Sequence, residues 1–341
     1  MKRISLILII LLLISLLLTG CNSTDNSMGF IYGTTYELKL TGGNVKKAKE
    51  EIIAMLNDIE AKLSTSIMTS DVYLINNSIV NTPVNVSQLT IDMFVRSHSI
   101  YIDTNSAFNP TIYPIVRLWG FTPEQDITAD REPPSNQSIN ELLTVVNFNS
   151  FLVDINELTV IRLNDKAMID FGAIAKGYAL QEALDICSNY NVAQALINIG
   201  GSVGSIGDTI KVGVQNPRES NNICFASFDM SDGYSVATSG DYERYFIHNE
   251  VRYHHIMDTT TGRPVDNGII GVTIVTSDAE LSDALSTSVF CLGAKDGMAF
   301  AMENNAKCLI IMNNNTYYVS PDFEITIIEE GYTEADINEA N

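Results

Sequence analysis

Basic residues are scarce in this 341-residue chain: 20 lysines and arginines stand against 41 aspartates and glutamates, a formal net charge of −21. A surface so short of positive charge repels phosphate backbones and anionic headgroups, so nucleic acid is excluded as a partner. An anionic ligand would need a metal ion or a local basic pocket. Histidine is rarer, with four residues, and there is one tryptophan. The five cysteines include no CxxC and no Cys/His ligand spacing, so the chain encodes neither a zinc cluster nor a disulfide framework. Cys187, Cys291 and Cys308 lie in apolar runs and read as buried thiols. A Walker A loop, a GxGxxG fingerprint, an internal repeat and a low-complexity tract are also missing.

The long apolar run is confined to the beginning. Lys2 and Arg3 precede a stretch from Ile4 to Leu18, about 15 residues and short of the roughly 20 that span a bilayer. That length favours a signal peptide over residues 1–20, with an uncleaved anchor as the alternative. Leu18-Thr19-Gly20-Cys21 resembles a lipobox. The resemblance implies cleavage before Cys21, a diacylglycerol on its sulfur, and a lipid-anchored protein on the extracytoplasmic face of the cell membrane. Removing residues 1–20 takes away Lys2 and Arg3 and no acid, leaving 18 bases, 41 acids and a charge of −23. Residues 21–29 read as the lipidated cysteine and a polar tether, 30–328 as one domain, and 329–341 as a frayed acidic tail.

Within the domain, Phe30 to Leu40 alternates as a first strand. Val45 to Leu63 and Val86 to Asn105 carry helical spacing, the first of them ending in a serine-rich loop. The prolines of FNPTIYPIVRLWGF, Phe108 to Phe121, forbid one regular helix. Its Trp119 reads either as a core corner or as a platform for a planar ring. Phe151–Asp154 and Thr159–Leu163 form a hairpin-like pair, and Ala195–Ile199 is an apolar strand closing on Gly200-Gly201. Lys211–Pro217 and Ile223–Met230 read as strands. His254 and His255 are adjacent in a predicted strand, so they face opposite sides and at most one serves a given pocket.

Two stretches carry the chemistry. DFGAIAKGY, Asp170 to Tyr178, opens a helix whose periodicity continues through Ala179, Ala183 and Ile186. The first turn of a helix presents unpaired N–H groups and the positive dipole end, so phosphate oxygens bind there, and Lys176 adds a full charge. Asp170 also suits a plain N-cap, and Gly172 a plain turn. Ser277 to Leu292 is a second helix, with Ser277 and Glu280 in capping-box spacing. Asp283 and Thr287 lie four apart on one face of it, about 5 to 6 Å at Cβ. A carboxylate and a hydroxyl so placed suit a hard cation such as Mg2+, which takes its other ligands from water and substrate phosphates.

FNPTIYPIVRLWGF, IDFGAIAKGY, INIGG, VGVQNP, ATSGDYERYF, HHIMDTTTGRP and DALST, in this order, resemble the ApbE family of FAD:protein FMN transferases. The resemblance covers nearly all of residues 30 to 320. It implies transfer of the FMN half of FAD to a Thr or Ser hydroxyl of acceptor flavoprotein subunits, with release of AMP and Mg2+ at the pyrophosphate. It implies FAD contacts at Asp170, Lys176, Trp119, Gly120, Phe121, Tyr32, Ser66 and His255. Metal ligands fall on Asp283, Thr287 and the Ala173 carbonyl, with Ser286 at a position that is acidic in some members. His255 falls near a histidine linked to catalysis, with Asp283 acting through the metal. Three positions depart from the family: Tyr32 replaces a common Met, Ser66 a common Tyr, and Thr259 a common Pro.

The fold implied is α+β, mixed α/β: a single two-lobed, ApbE-like (T-fold-like) domain with the ligand groove between lobes. Two other activities use the same residues. In a Mg2+-dependent FAD pyrophosphatase water replaces the acceptor hydroxyl. A non-catalytic FAD-binding lipoprotein would not require a metal pair.

Overall fold

The computed structural model describes residues 23–122, 131–219 and 223–340. The signal-peptide reading and Cys21 lie outside the described residues. Among those described, no helix is long and apolar enough to cross a membrane.

A nine-stranded sheet organises the chain. Its strands are β1 (Thr24–Ile31), β2 (Thr34–Thr41), β3 (Gln194–Ile199), β4 (Ser202–Ile206), β5 (Ser235–Gly240), β6 (Ile269–Thr276), β7 (Lys307–Met312), β8 (Thr316–Val319) and β9 (Thr333–Glu334), and they lie side by side in that order. All neighbours are antiparallel except β8 and β9. Among the described residues eight helices accompany it: α1 (Val45–Leu63), α2 (Asp71–Asn77), α3 (Gln88–Asp103), α4 (Tyr113–Leu118), α5 (Asn136–Leu143), α6 (Ala175–Asn189), α7 (Ala279–Leu292) and α8 (Ala294–Glu303).

Of four apolar clusters among the described residues, the two largest pack on the sheet and mark the two lobes. In the first, Leu38, Leu40, Ile197 and Ile199 of β2 and β3 pack on Ile52 and Leu56 of α1 and on Ala179, Leu180 and Ala183 of α6. In the second, Val272 and Ile274 of β6 pack on Leu285, Val289 and Phe290 of α7 and on Met298 of α8. All eight residues of β6 are buried. Its other face, including Ile270 and Val275, is covered by Phe225 and Phe228 of the strand Cys224–Met230. A strand closed on both faces reads as continuous apolar sequence, as IIGVTIVT does. Helices α6 and α7, one from each lobe, pack against each other where the lobes meet.

Three expectations are corrected. The stretch 24–29, read as part of a tether, belongs to β1, which pairs with β2 from Thr24↔Thr41 to Ile31↔Thr34. Its apolar members Met28 and Phe30 lie on the open face, 76% and 71% exposed, so no buried alternation marks it as a strand. The tail is docked: β9 pairs with Thr316 and Tyr317 of β8, and Ala335, Ile337 and Ala340, interleaved with acids, pack on the second core. Helix α7 is capped by Asp278, whose side chain accepts from Leu281 N at 2.9 Å, not by Ser277. Glu280 instead reaches Arg96 of α3.

Candidate active site

The site begins with a glycine. A Cβ added to Gly177 of α6 would lie 2.7 Å from Asp283 Cβ and closer still to the Ala279 carbonyl. Without one, the backbones of α6 and α7 come near enough for Gly177 N to donate to Asp283 Oδ2 at 3.0 Å. Lys176 Nζ donates to Asp283 Oδ1 and Oδ2 at 3.0 and 3.2 Å, and Ser202 Oγ to Oδ1 at 3.4 Å. Asp283 is thus an almost buried carboxylate, 5% exposed, gathered by donors from α6 and β4. The spacing of Asp283 and Thr287 is legible in sequence; this burial is not, because it depends on a glycine in another helix.

The turn ahead of α6 is built by Asp170, whose Oδ1 accepts from Gly172 N at 3.1 Å and whose own N donates to Pro110 O at 3.1 Å. Asp170 is therefore not the cap of α6. That helix starts at Ala175 with no side-chain cap, and its opening turn is partnered within the protein, Ala175 N donating to Phe171 O at 2.9 Å and Gly177 N to Asp283 Oδ2 at 3.0 Å. Lys176 Nζ also reaches Gly172 O at 3.3 Å. The Ala173 carbonyl is the partner four residues back that helical geometry would give Gly177 N, but it takes none of the turn's backbone bonds.

On the α7 side, three hydroxyls meet. Ser239 Oγ, from β5, lies 2.8 Å from Ser286 Oγ and 3.2 Å from Thr287 Oγ1, and Ser286 Oγ donates to the Asp283 carbonyl at 2.8 Å. Ser286 is buried, while Thr287 is half-buried. Among the described residues no group of three or more His, Cys, Asp or Glu side chains could hold a metal. The available donors are instead hard oxygens: the Asp283 carboxylate, the Thr287 hydroxyl and the Ala173 carbonyl. The ammonium of Lys176 already stands on that carboxylate as a cation. This donor set fits Mg2+, which takes few protein ligands and keeps several waters, and does not suit a thiolate- or imidazole-seeking ion.

The paired histidines separate cleanly. His254 is 5% exposed; its Nε2 donates to Val265 O at 3.0 Å and its Nδ1 accepts from Ile256 N at 3.3 Å. Both ring nitrogens are engaged, so His254 is a structural group. His255 points the other way, its ring 6.5 Å from that of Phe121, and its Nδ1 is buried without a hydrogen-bond partner. Burial, with Arg244 and His254 beside it, holds its imidazole well below the usual value of 6.5, and Lys176 adds to the effect. His255 is therefore a neutral imidazole in the field of the Lys176 ammonium.

Glu243, within ATSGDYERYF, was missed in sequence. Glu243 is exposed, yet the protein around its carboxyl raises it by desolvation against the opposing pull of Lys176 and Arg244, with Asp283 raising it further. An acid inside this polar segment was the available signal. Arg218, of the VGVQNP run's end, grips Asp241 through two 2.8 Å bonds and fixes the chain just after β5.

The residues that the resemblance sets against a flavin ring are held as follows. Trp119 is 2% exposed, donates from Nε1 to Gly262 O at 2.8 Å, and has Tyr253 stacked on it at 5.4 Å. It is a core corner, not an open platform. Phe121 is buried as well, against Phe246 at 5.7 Å. Gly120, at φ +82°, turns the chain between them and its carbonyl accepts from Arg131. Tyr32 occupies the β1–β2 turn at φ +53°, anchored by its N to Glu60 Oε1 at 2.9 Å and by its hydroxyl to Leu56 O at 2.8 Å. Ser66 is exposed and bonds Ser64 Oγ at 3.1 Å. Among the described residues no hydrogen bond links Tyr32 or Ser66 to the Asp283 cluster. Thr259, in place of proline, ties its turn to Ser106 O at 2.9 Å, while Asp258 Oδ1 accepts from Thr260 N and Thr261 N.

Comparison with known proteins matches residues 32–310 to the ApbE family model. A curated FAD:protein FMN transferase of Klebsiella pneumoniae is 31% identical over 250 residues, 73% of this chain and 76% of that protein. One of Haemophilus influenzae is 27% identical over 305 residues, 86% and 87% of the two chains. The crystal structure of the ApbE protein of Thermotoga maritima superimposes with a TM-score of 0.80 at 31% identity, covering 88% of this chain and 97% of that one.

Proposed function

This chain belongs to the ApbE family, and from that premise we propose that it transfers FMN from FAD to a Thr or Ser hydroxyl of an acceptor flavoprotein, releasing AMP, with Mg2+ at the pyrophosphate. The observation that carries the reading is the meeting of Lys176 and Asp283, 3.0 Å apart, with the Thr287 hydroxyl on the same helix face as Asp283. Anchoring at Cys21, on the outer face of the cell membrane, rests on the sequence pattern of residues 1–21 alone.

Asp283, Thr287 and the Ala173 carbonyl would hold Mg2+, which neutralises pyrophosphate charge and improves AMP as a leaving group. The remaining work falls to the chain itself. Lys176, in the opening turn of α6, orients the phosphates by charge. The acceptor oxygen attacks the FMN phosphorus, a new P–O bond forms, and the bond to the AMP oxygen breaks with its electron pair leaving on AMP. The hydroxyl proton passes to His255, whose ring is neutral and so able to accept it. Fixed groups around a developing charge lower its energy without reorganising at the moment of reaction.

AMP release measured with FAD and Mg2+, with and without an acceptor protein, tests the reading. AMP that appears in proportion to acceptor is the expected result. AMP at the same rate without acceptor, accompanied by free FMN, would mean a pyrophosphatase.

A further inference from the structure

The three hydroxyls beside Asp283 have a definite proton order. Ser286 has one hydroxyl proton, and it goes to the Asp283 carbonyl at 2.8 Å. At the 2.8 Å contact between Ser239 and Ser286, Ser239 is therefore the donor. With its own proton so placed, Ser239 meets Thr287 Oγ1 at 3.2 Å as the acceptor. The proton of Thr287 is turned toward β5, and the lone pairs of Oγ1 are left for something else.

This is not the usual state of a helical threonine. Such a hydroxyl ordinarily bonds back to a carbonyl three or four residues earlier. Here the Asp283 carbonyl, four back from Thr287, is taken by Ser286. Thr287 Oγ1 looks instead to a strand that the helix does not control. Ser239 lies opposite Val272 in the β5–β6 ladder and is fixed there by backbone pairing, so its oxygen is a rigid reference point.

We propose that Ser239 is a positioning residue for the metal centre. It holds the Thr287 proton away from the cation position, and Ser286 relays that order to the backbone of α7 without acting as a ligand. The inference rests on the Mg2+ reading given above. A hydroxyl ligates a hard cation through a lone pair, so a proton free to swing toward the cation competes with binding. Residues that orient a ligand in this way typically change metal affinity 10- to 100-fold when removed.

Mn2+ titration of the full chain followed by electron paramagnetic resonance, with metal alone and with FAD, reads this directly. Ser239→Ala is expected to weaken Mn2+ binding by about tenfold or more, and Ser239→Thr, which keeps the hydroxyl, to restore most of it. Ser239→Cys keeps the shape but accepts weakly, and should fall with the alanine variant. Ser286→Ala, removing a relay and not a ligand, should weaken binding less than Ser239→Ala. Wild-type affinity in both Ser239→Ala and Ser239→Cys would overturn the inference while leaving the Mg2+ reading intact. Failure of the wild-type chain to bind Mn2+ would overturn both.

Discussion

Lys176 Nζ stands 3.0 and 3.2 Å from the two oxygens of Asp283, one residue from each lobe, and Gly177 N reaches the same carboxylate at 3.0 Å. Two consecutive residues of α6 therefore lock the key acid of α7. Ion pair and helix crossing are a single arrangement, and disturbing one is expected to disturb the other.

Gly177→Ala tests the crossing. The added methyl would sit 2.7 Å from Asp283 Cβ and nearer to backbone at Ala279, neither of which can yield cheaply. Overpacking of this kind costs about 1–3 kcal/mol. Urea unfolding should show that loss, and metal affinity should fall with it. A variant as stable and as metal-competent as the wild type would mean the helices are free to separate.

The two histidines should give opposite phenotypes. His254→Ala strands Val265 O and Ile256 N in the interior and is expected to destabilise the fold by about 1–3 kcal/mol. Any activity it retains should show a near-normal KM for FAD. His255→Ala should leave stability close to wild type and lower turnover by about 10²–10⁴. Parallel unfolding and steady-state measurements check both. Exchanged phenotypes would reverse the assignment.

His255 also sets a pH dependence. Its folded-state pKa lies well below 6.5, so the unfolded chain binds a proton that the folded chain does not. Its contribution to stability is complete above about pH 6.5 and is lost as pH falls through the interval down to the folded value. Wild-type stability should fall between pH 7 and pH 5 more steeply than that of His255→Gln. Equal slopes would show that the buried imidazole is not the source.

Sequence reasoning reached the elements better than the burial. The periodicity of α1 and α7, the hairpin Phe151–Asp154 with Thr159–Arg162, and the four-residue interval of Asp283 and Thr287 are local properties, and each was readable. The opposite orientation of His254 and His255 follows from strand geometry, but which of them faces inward depends on Val265, eleven residues away. Trp119 was ambiguous for a similar reason: its covering partners Tyr253 and Gly262 come from a distant segment. The strand expected over Phe30 to Leu40 is the end of β1 and β2 joined across the Tyr32-Gly33 turn, and residues 24–29 carry no strand signal because pairing with β2, not an apolar pattern, makes them one.

Trp119→Phe tests the role of the tryptophan as a core corner. The change removes the donor to Gly262 O inside a packed aromatic cluster, and the stranded carbonyl should cost about 1–3 kcal/mol. FAD affinity should change little. A selective loss of FAD binding without loss of stability would return Trp119 to the ligand groove.

The most direct test of the whole account is intact-mass spectrometry of an acceptor flavoprotein domain with a target threonine, incubated with this protein, FAD and Mg2+. The account predicts a gain of one FMN on the acceptor, abolished by chelation and reduced about 10²–10³ by Asp283→Ala. An unmodified acceptor, or an adduct formed equally well by Asp283→Ala, would contradict it.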